Sequence, residues 1–236
     1  MSIKTVFLDL DNTLLPIDEQ AFYRLYFGGM GQYFHRFGIE PDVLLQAVMK
    51  GTEAMRANSS NQTNEHVFWN VFDEILPNHT HLFKQHIHRF YDEHYPSVKA
   101  ASRVDKRAKI LIERLQKKHL RLFLATNPLF PSVATHQRVQ WAGLDLAMFE
   151  KITTMENSLA CKPNPRYFQL LLEEFSLKPE ETLMIGNDWI EDTAAEKVGI
   201  KTIIITDYAM KEKPSDNLAK GMTFDDLLST IHSLVE

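Results

Sequence analysis

The sequence predicts an α/β fold: a doubly wound, Rossmann-like parallel sheet interrupted by an inserted helical bundle. Three observations carry this. Short apolar runs recur along the chain in the way buried parallel strands do. Helix-period patterns separate those runs in the second half. A long stretch after the first run carries no convincing strand. With 236 residues, 44% of them hydrophobic, the chain can bury a core and form one or two domains.

Residues 3–8 form the first apolar run, which ends in acids. Residues 120–125, 151–154, 183–185 and 202–206 are expected to be the second to fifth strands, the third being the weakest and the fifth rich in isoleucine. Between them, Ala108, Leu111, Ile112 and Leu115 follow helix spacing. Asn164 and Pro165 read as an N-cap and first helical residue. Gly199 reads as a helix stop after 194–198, and Thr223 as the cap of a last helix through Leu234. In the strandless stretch, residues 20–37, 42–55, 65–76 and 82–94 have helical character. Gly38 with Pro41, the run 58–61, and Pro77 with Asn78 separate them. The expected division is a core of 1–16 and 99–236 with a helical insert of 17–98.

Ligands of an open α/β sheet bind beyond the carboxyl ends of its strands, and reactive residues collect there at four places. The first strand ends in Asp9-Leu10-Asp11-Asn12-Thr13. Where the chain turns, both acids can reach one site: Asp9 as nucleophile and metal ligand, Asp11 as proton donor and then base. The second strand ends in Thr126-Asn127-Pro128, where a hydroxyl and backbone N–H groups can hold phosphate oxygens. Lys162, in a loop before a helix, can reach a phosphoryl oxygen as a compact charge. The fourth strand ends in Gly186-Asn187-Asp188-Trp189-Ile190-Glu191-Asp192, whose acids can complete an oxygen-only Mg²⁺ site with Asp9. Singly, each has a plain structural reading: an Asx-rich loop, a turn, a solvated lysine, acids at a helix N-terminus. Their common order and placement favour the functional reading.

These four segments resemble the four signatures of the haloacid dehalogenase superfamily, over essentially the whole chain. The resemblance implies a sheet in the order 5-4-1-2-3 and identifies the insert as similar to a C1-type cap that closes over the active site. It implies an Mg²⁺-dependent phosphatase acting on a small phosphate ester through an aspartyl-phosphate on Asp9. Asp9, Asp11 and Lys162 would be catalytic, and Thr126, Asn127 and Lys162 would bind phosphate. Mg²⁺ would be held by Asp9, the Asp11 carbonyl and Asp188. The family often has Gly-Asp where this chain has Gly186-Asn187, so Asp188 is taken as the third ligand. Thr13, Asn187 and Asp192 are placed behind it, with Asp192 the competing ligand. Dehalogenating members lack an acid at the position of Asp11, because a halide leaves without a proton. A sugar-phosphate mutase and a non-catalytic phosphate-binding regulator are the competing functions. The acid at position 11 and a full cap favour the enzyme over the regulator.

The formal net charge of −5 gives nucleic acid little reason to bind. One cysteine, Cys161, allows no intramolecular disulfide, and no apolar run approaches membrane-spanning length. A cytoplasmic monomer or weak dimer, binding neither nucleic acid nor membrane, is expected. His79, His81, His86 and His88 read as insert surface. Cys161 reads as a small buried filler. The aromatic set Phe22, Tyr23, Tyr26, Phe27, Tyr33, Phe34 and Phe37 reads mostly as insert core, with Gly28 and Gly29 marking a break in its helix.

Overall fold

The computed structural model describes residues 2–209, 212–215, 217 and 219–235. Six strands form one sheet: β1 (Thr5–Leu8), β2 (Arg121–Leu124), β3 (Lys151–Ile152), β4 (Thr182–Gly186), β5 (Lys201–Ile205) and β6 (Lys220–Met222). Their order is β3-β2-β1-β4-β5-β6, and every pairing is parallel. The order 5-4-1-2-3 is therefore present, extended by one edge strand. That sixth strand, Lys-Gly-Met, has no apolar run to announce it.

Side chains alternate across the sheet with period two, and the register turns that alternation into two separate cores. Phe7 lies between Phe123 and Met184, and these three pack with Tyr167, Phe168 and Leu171. Tyr167, Phe168 and Leu171 lie on helix α7 (Pro165–Glu174), which starts as expected: the Asn164 side chain accepts from Arg166 N–H with Pro165 in the first turn. The flanking Val6 and Leu8 face the opposite side, in the cluster that holds Leu111, Ile112 and Leu115 of α5 (Lys106–Lys117) and Leu227 and Ile231 of α8 (Phe224–Leu234). Thr223 caps α8 by accepting from Asp226 N–H.

The chain leaves the sheet after β1 and returns at β2 through α1 (Glu19–His35), α2 (Pro41–Arg56), α3 (Asn64–Ile75) and α4 (Thr80–Glu93). The outgoing and returning segments run side by side: Asp18 N–H donates to Ala101 O at 2.8 Å and Arg103 N–H to Pro16 O at 3.1 Å. Helix α1 is continuous across Gly28 and Gly29, so the expected break is absent. Tyr26, Met30, Tyr33 and Phe34 are buried on its length, and their packing holds the glycines in the helix against a cost of about 1 kcal/mol each.

Two further elements differ from the sequence reading. A 3-10 helix spans Tyr95–Ala101, and α6 (Ser132–Trp141) follows β2. Helix α6 lacks a legible apolar stripe because its buried face carries Thr135 and Arg138 among Ala134, Val139 and Trp141. No helix of the described residues is long and apolar enough to cross a membrane.

Candidate active site

Parallel pairing levels the three central strand ends. Leu8 is in register with both Leu124 and Ile185, and the ladder continues one step as Asp9 N–H donates to Ile185 O and Ala125 N–H to Leu8 O. Asp9, Thr126 and Asn187 are thereby delivered to one rim. Asp9, Asp11, Thr126, Asn127, Asn187, Asp188 and Asp192 line a single cavity. The residue run 12–15 closes a tight turn, with Asn12 in the left-handed region (φ 59°). Leu14 and Leu15 N–H groups return to Leu10 O at 2.9 Å.

Lys162 is the centre of the charge arrangement. Its side chain is 1% exposed, and Nζ lies 2.8 Å from Asp9 Oδ1 and 2.6 Å from Asp192 Oδ1. Burial favours the neutral amine, but Asp192 and Asp9 outweigh it and hold the Lys162 pKa well above that of an ordinary lysine. An ammonium has three donors, and two of them are on Asp9 and Asp192. Burial pushes the Asp9 carboxyl up to about 7, against the pull of Lys162 and with Asp192 and Asp11 adding to the rise. Lys162 is shared between two carboxylates and cannot fully compensate either.

Asp192 does not reach into open space. Its Oδ1 holds Lys162, and its Oδ2 accepts from Asn187 N–H at 2.9 Å and Asp188 N–H at 3.0 Å. Gly186 makes that possible: a Cβ there would lie 2.0 Å from Asp192 Oδ2. Asn187 is also engaged, accepting from Thr13 Oγ1 at 3.1 Å and donating to Tyr208 O at 3.3 Å. The Thr13 hydroxyl also lies 3.3 Å from Asp9 Oδ2. Asp188 Oδ1 accepts from Ile190 and Glu191 N–H, which fixes the carboxylate at the cavity wall.

Arg138, which the sequence reading missed, is 1% exposed and places Nη1 2.9 Å from Asp11 Oδ2. Its guanidinium sits 4.1 Å from the Phe130 ring centre. Burial raises the Asp11 carboxyl pKa, and Arg138 pulls it part of the way back. Asp11 Oδ1 and Arg138 Nε are buried without a hydrogen-bond partner. No local motif marks Arg138. A lone arginine on a half-apolar helix was the available signal.

The two remaining site residues have backbone as well as side-chain uses. Thr126 is buried, and its carbonyl accepts from Thr153 and Tyr167 hydroxyls. Asn127 spends its amide hydrogens on Lys162 O at 3.2 Å and Glu191 Oε2 at 2.8 Å. Any donation from Asn127 to a ligand therefore falls to its backbone N–H. Cys161, next to Lys162, is buried and accepts from Asn64 Nδ2 at 3.2 Å. Burial pushes its thiol up to about 12, which leaves it a packing residue. His81 and His88 are exposed and His79 and His86 half-buried, with His86 stacked on Phe37.

The helical insert is seated on the strand-end loops. Asn64 and Glu65 N–H donate to Ser158 O and Met155 O, both at 2.8 Å. Arg56 pairs with Glu191 at 2.8 Å, and Arg166 donates to Ser60 O and Asn61 Oδ1.

Magnesium suits this donor set. It is held by one or two carboxylates with carbonyl, water and substrate oxygens, not by an all-protein cage. Among the described residues no three Asp, Glu, His or Cys side chains converge into such a cage, while Asp9, Asp11 and Asp188 share one cavity wall. Burial is the main cause of the raised Asp9 pKa, so a cation in the cavity would favour its carboxylate form.

The chain matches the family model of haloacid dehalogenase-like hydrolases over residues 3–208. Over 76 residues it is 34% identical to phospholysine phosphohistidine inorganic pyrophosphate phosphatase of Xenopus laevis, a match covering 32% of this chain and 27% of that protein. It is 22% identical over 206 residues to pyrophosphatase PpaX of Bacillus mycoides strain KBAB4, covering 87% and 85% of the two chains. A solved 2-haloacid dehalogenase from Pseudomonas syringae pv. Tomato DC3000 shares the fold, with a TM-score of 0.68, 15% identity and coverage of 98% and 99%. The chain belongs to the haloacid dehalogenase-like hydrolase family.

Proposed function

We propose that this member of the haloacid dehalogenase-like hydrolase family is a magnesium-dependent phosphatase that hydrolyses a phosphate monoester through Asp9. One observation carries the choice within the family. Asp11 lies on the same cavity wall as Asp9, with its carboxyl raised by burial and held by Arg138. A dehalogenation has no use for that proton, whereas an alkoxide or phenoxide leaving group does.

In the proposed reaction Asp9 attacks phosphorus, the bond from phosphorus to the ester oxygen breaks, and Asp11 protonates that oxygen. Asp11, now a carboxylate, takes a proton from water. The hydroxide oxygen bonds to phosphorus and the Asp9–phosphorus bond breaks, releasing phosphate and restoring both acids. Lys162 spends its third N–H on a phosphoryl oxygen, and Thr126 with the Asn127 backbone N–H would hold the others. Asp9, the Asp11 carbonyl and Asp188 would hold Mg²⁺, with Asp192 behind them bracing Lys162. The ion would offset repulsion between carboxylate and phosphate. Residues 17–98 would act as the C1-type cap over a core of 1–16 and 99–236, with the paired segments at Pro16–Asp18 and Ala101–Arg103 as its base.

The test is release of phosphate from an aryl phosphate by wild type, with Mg²⁺ and with EDTA, beside Asp9→Asn. The expected result is turnover that EDTA abolishes, Mg²⁺ restores, and Asp9→Asn lowers by about 10⁴-fold or more. Unchanged turnover in Asp9→Asn would remove the nucleophile and with it this mechanism.

A further inference from the structure

The cavity that begins at Asp9 and Asp11 continues into the helical insert, to a total of about 720 Å³. That is the size of a site for a drug-sized ligand, and a second phosphoryl group alone would leave most of it empty. Its far walls are rings: Tyr23, Tyr26, Phe27, Phe68, Trp69 and Phe130.

Most polar side chains beside these rings already have partners. The Tyr23 hydroxyl lies 3.2 Å from Met49 Sδ. The Tyr26 and Tyr91 hydroxyls bond each other at 2.8 Å. Trp69 Nε1 donates to Glu65 Oε1 at 3.4 Å. Ser132 N–H donates to Glu156 Oε1 at 2.8 Å. Both arginines on the cavity wall are paired as well, Arg56 with Glu191 and Arg138 with Asp11. Apart from Glu19, Thr52 and His88, what the insert offers a ligand is ring face and the apolar side chains of Met30, Val48, Met49 and Ile87. A second anion on the substrate would find both arginines committed, and a polar-edged base would exchange water for apolar surface.

We infer that the substrate is the phosphate monoester of a large, uncharged, ring-bearing alcohol or phenol. Pyrophosphate, a phosphorylated acid and a nucleotide do not fit these walls. The inference rests on the phosphatase reading of the acid end. The ester oxygen carrying the ring system is the one that parts from phosphorus and takes the Asp11 proton. Contact between rings, remote from phosphorus, supplies binding energy that positions the ester for attack.

Two measurements test it. The first compares kcat/KM for 2-naphthylmethyl phosphate, n-octyl phosphate, methyl phosphate, phosphoglycolate, thymidine 5′-monophosphate and pyrophosphate, all with Mg²⁺. The naphthyl ester should exceed methyl phosphate by about 10²-fold and exceed the others as well. Preference for pyrophosphate, phosphoglycolate or the nucleotide would overturn the inference and leave the phosphatase standing. An octyl ester as good as the naphthyl one would overturn the ring requirement. The second measurement reads the chamber without turnover: titration with benzylphosphonate, followed by tryptophan fluorescence in wild type and Trp69→Phe. A saturable change that disappears in Trp69→Phe supports the inference even if no ester is hydrolysed, an outcome that would instead sink the phosphatase reading. No saturable change in wild type overturns the inference.

Discussion

The two ends of the cavity are built on opposite principles. At the sheet rim, charged side chains lock one another: Lys162 is bound by Asp9 and Asp192, Asp192 by two N–H groups, and Asp11 by Arg138. In the insert, rings touch rings, as Tyr23 on Phe27 with centres 4.5 Å apart and Phe68 on Trp69 at 5.1 Å. Charge networks in a dry interior tolerate little change, because each lost partner strands another group. Ring contacts prefer offset or edge-to-face geometry but tolerate exchange of like volume better than paired charges do. On the proposed reading, the chemistry falls to the charge-locked end and the selectivity to the ring-lined end.

Lys162→Met breaks the comparison at its strongest point. It leaves Asp9 and the 1% exposed Asp192 facing each other without a cation. The expected loss is about 3–5 kcal/mol of unfolding free energy, read by urea titration, with turnover lost alongside it. A smaller loss would mean that the carboxylates escape to solvent and that the rim is less rigid than drawn.

Gly186→Ala tests the rim without removing charge. Its Cβ would overlap Asp192 Oδ2 at 2.0 Å, displacing the residue that braces Lys162. Destabilisation of about 3 kcal/mol is expected, together with reduced kcat. Wild-type stability in this variant would show the Asp192 cradle to be mobile.

Arg138→Met is expected to cost less stability than Lys162→Met, about 1 kcal/mol. Asp11 Oδ1 is buried, but the side chain as a whole keeps 34% of its surface exposed, so the unpaired carboxylate can turn to water. Its mark is kinetic: kcat should fall more for an alkyl phosphate than for p-nitrophenyl phosphate, whose leaving group needs no proton. Equal losses for both would deny Arg138 a hold on the proton donor.

Phe27→Leu sharpens the comparison from the other side. Stability should change by less than about 1.5 kcal/mol, and kcat for methyl phosphate should stay within a few-fold. The ratio of kcat/KM for naphthylmethyl over methyl phosphate should drop. A fall in both substrates alike would join the two ends into one cooperative unit.

Most strands, and most helices outside α6, were legible because their signals act over a few residues. Apolar runs stop at turn residues, Asn164 and Thr223 cap the helices they precede, and four reactive segments follow strand ends. Three features were hidden. The edge strand β6 has no run of its own. The stretch around Gly28 and Gly29 stays helical because neighbours bury its other face. Helix α6 shows no stripe because its buried face carries Arg138, paired with Asp11.

The sequence by itself determined the α/β class, the order of the four reactive segments and the presence of a helical insert, since each follows from local periodicity and local turn chemistry. Only the tertiary structure decided which groups share a charge. Lys162 meets Asp9 across 153 residues and Arg138 meets Asp11 across 127. It also decided that the rings of the insert wall the same cavity as the acids. The physical reason is that desolvation and pairing depend on distance in space, which strand register and helix packing set and no spacing along the chain encodes.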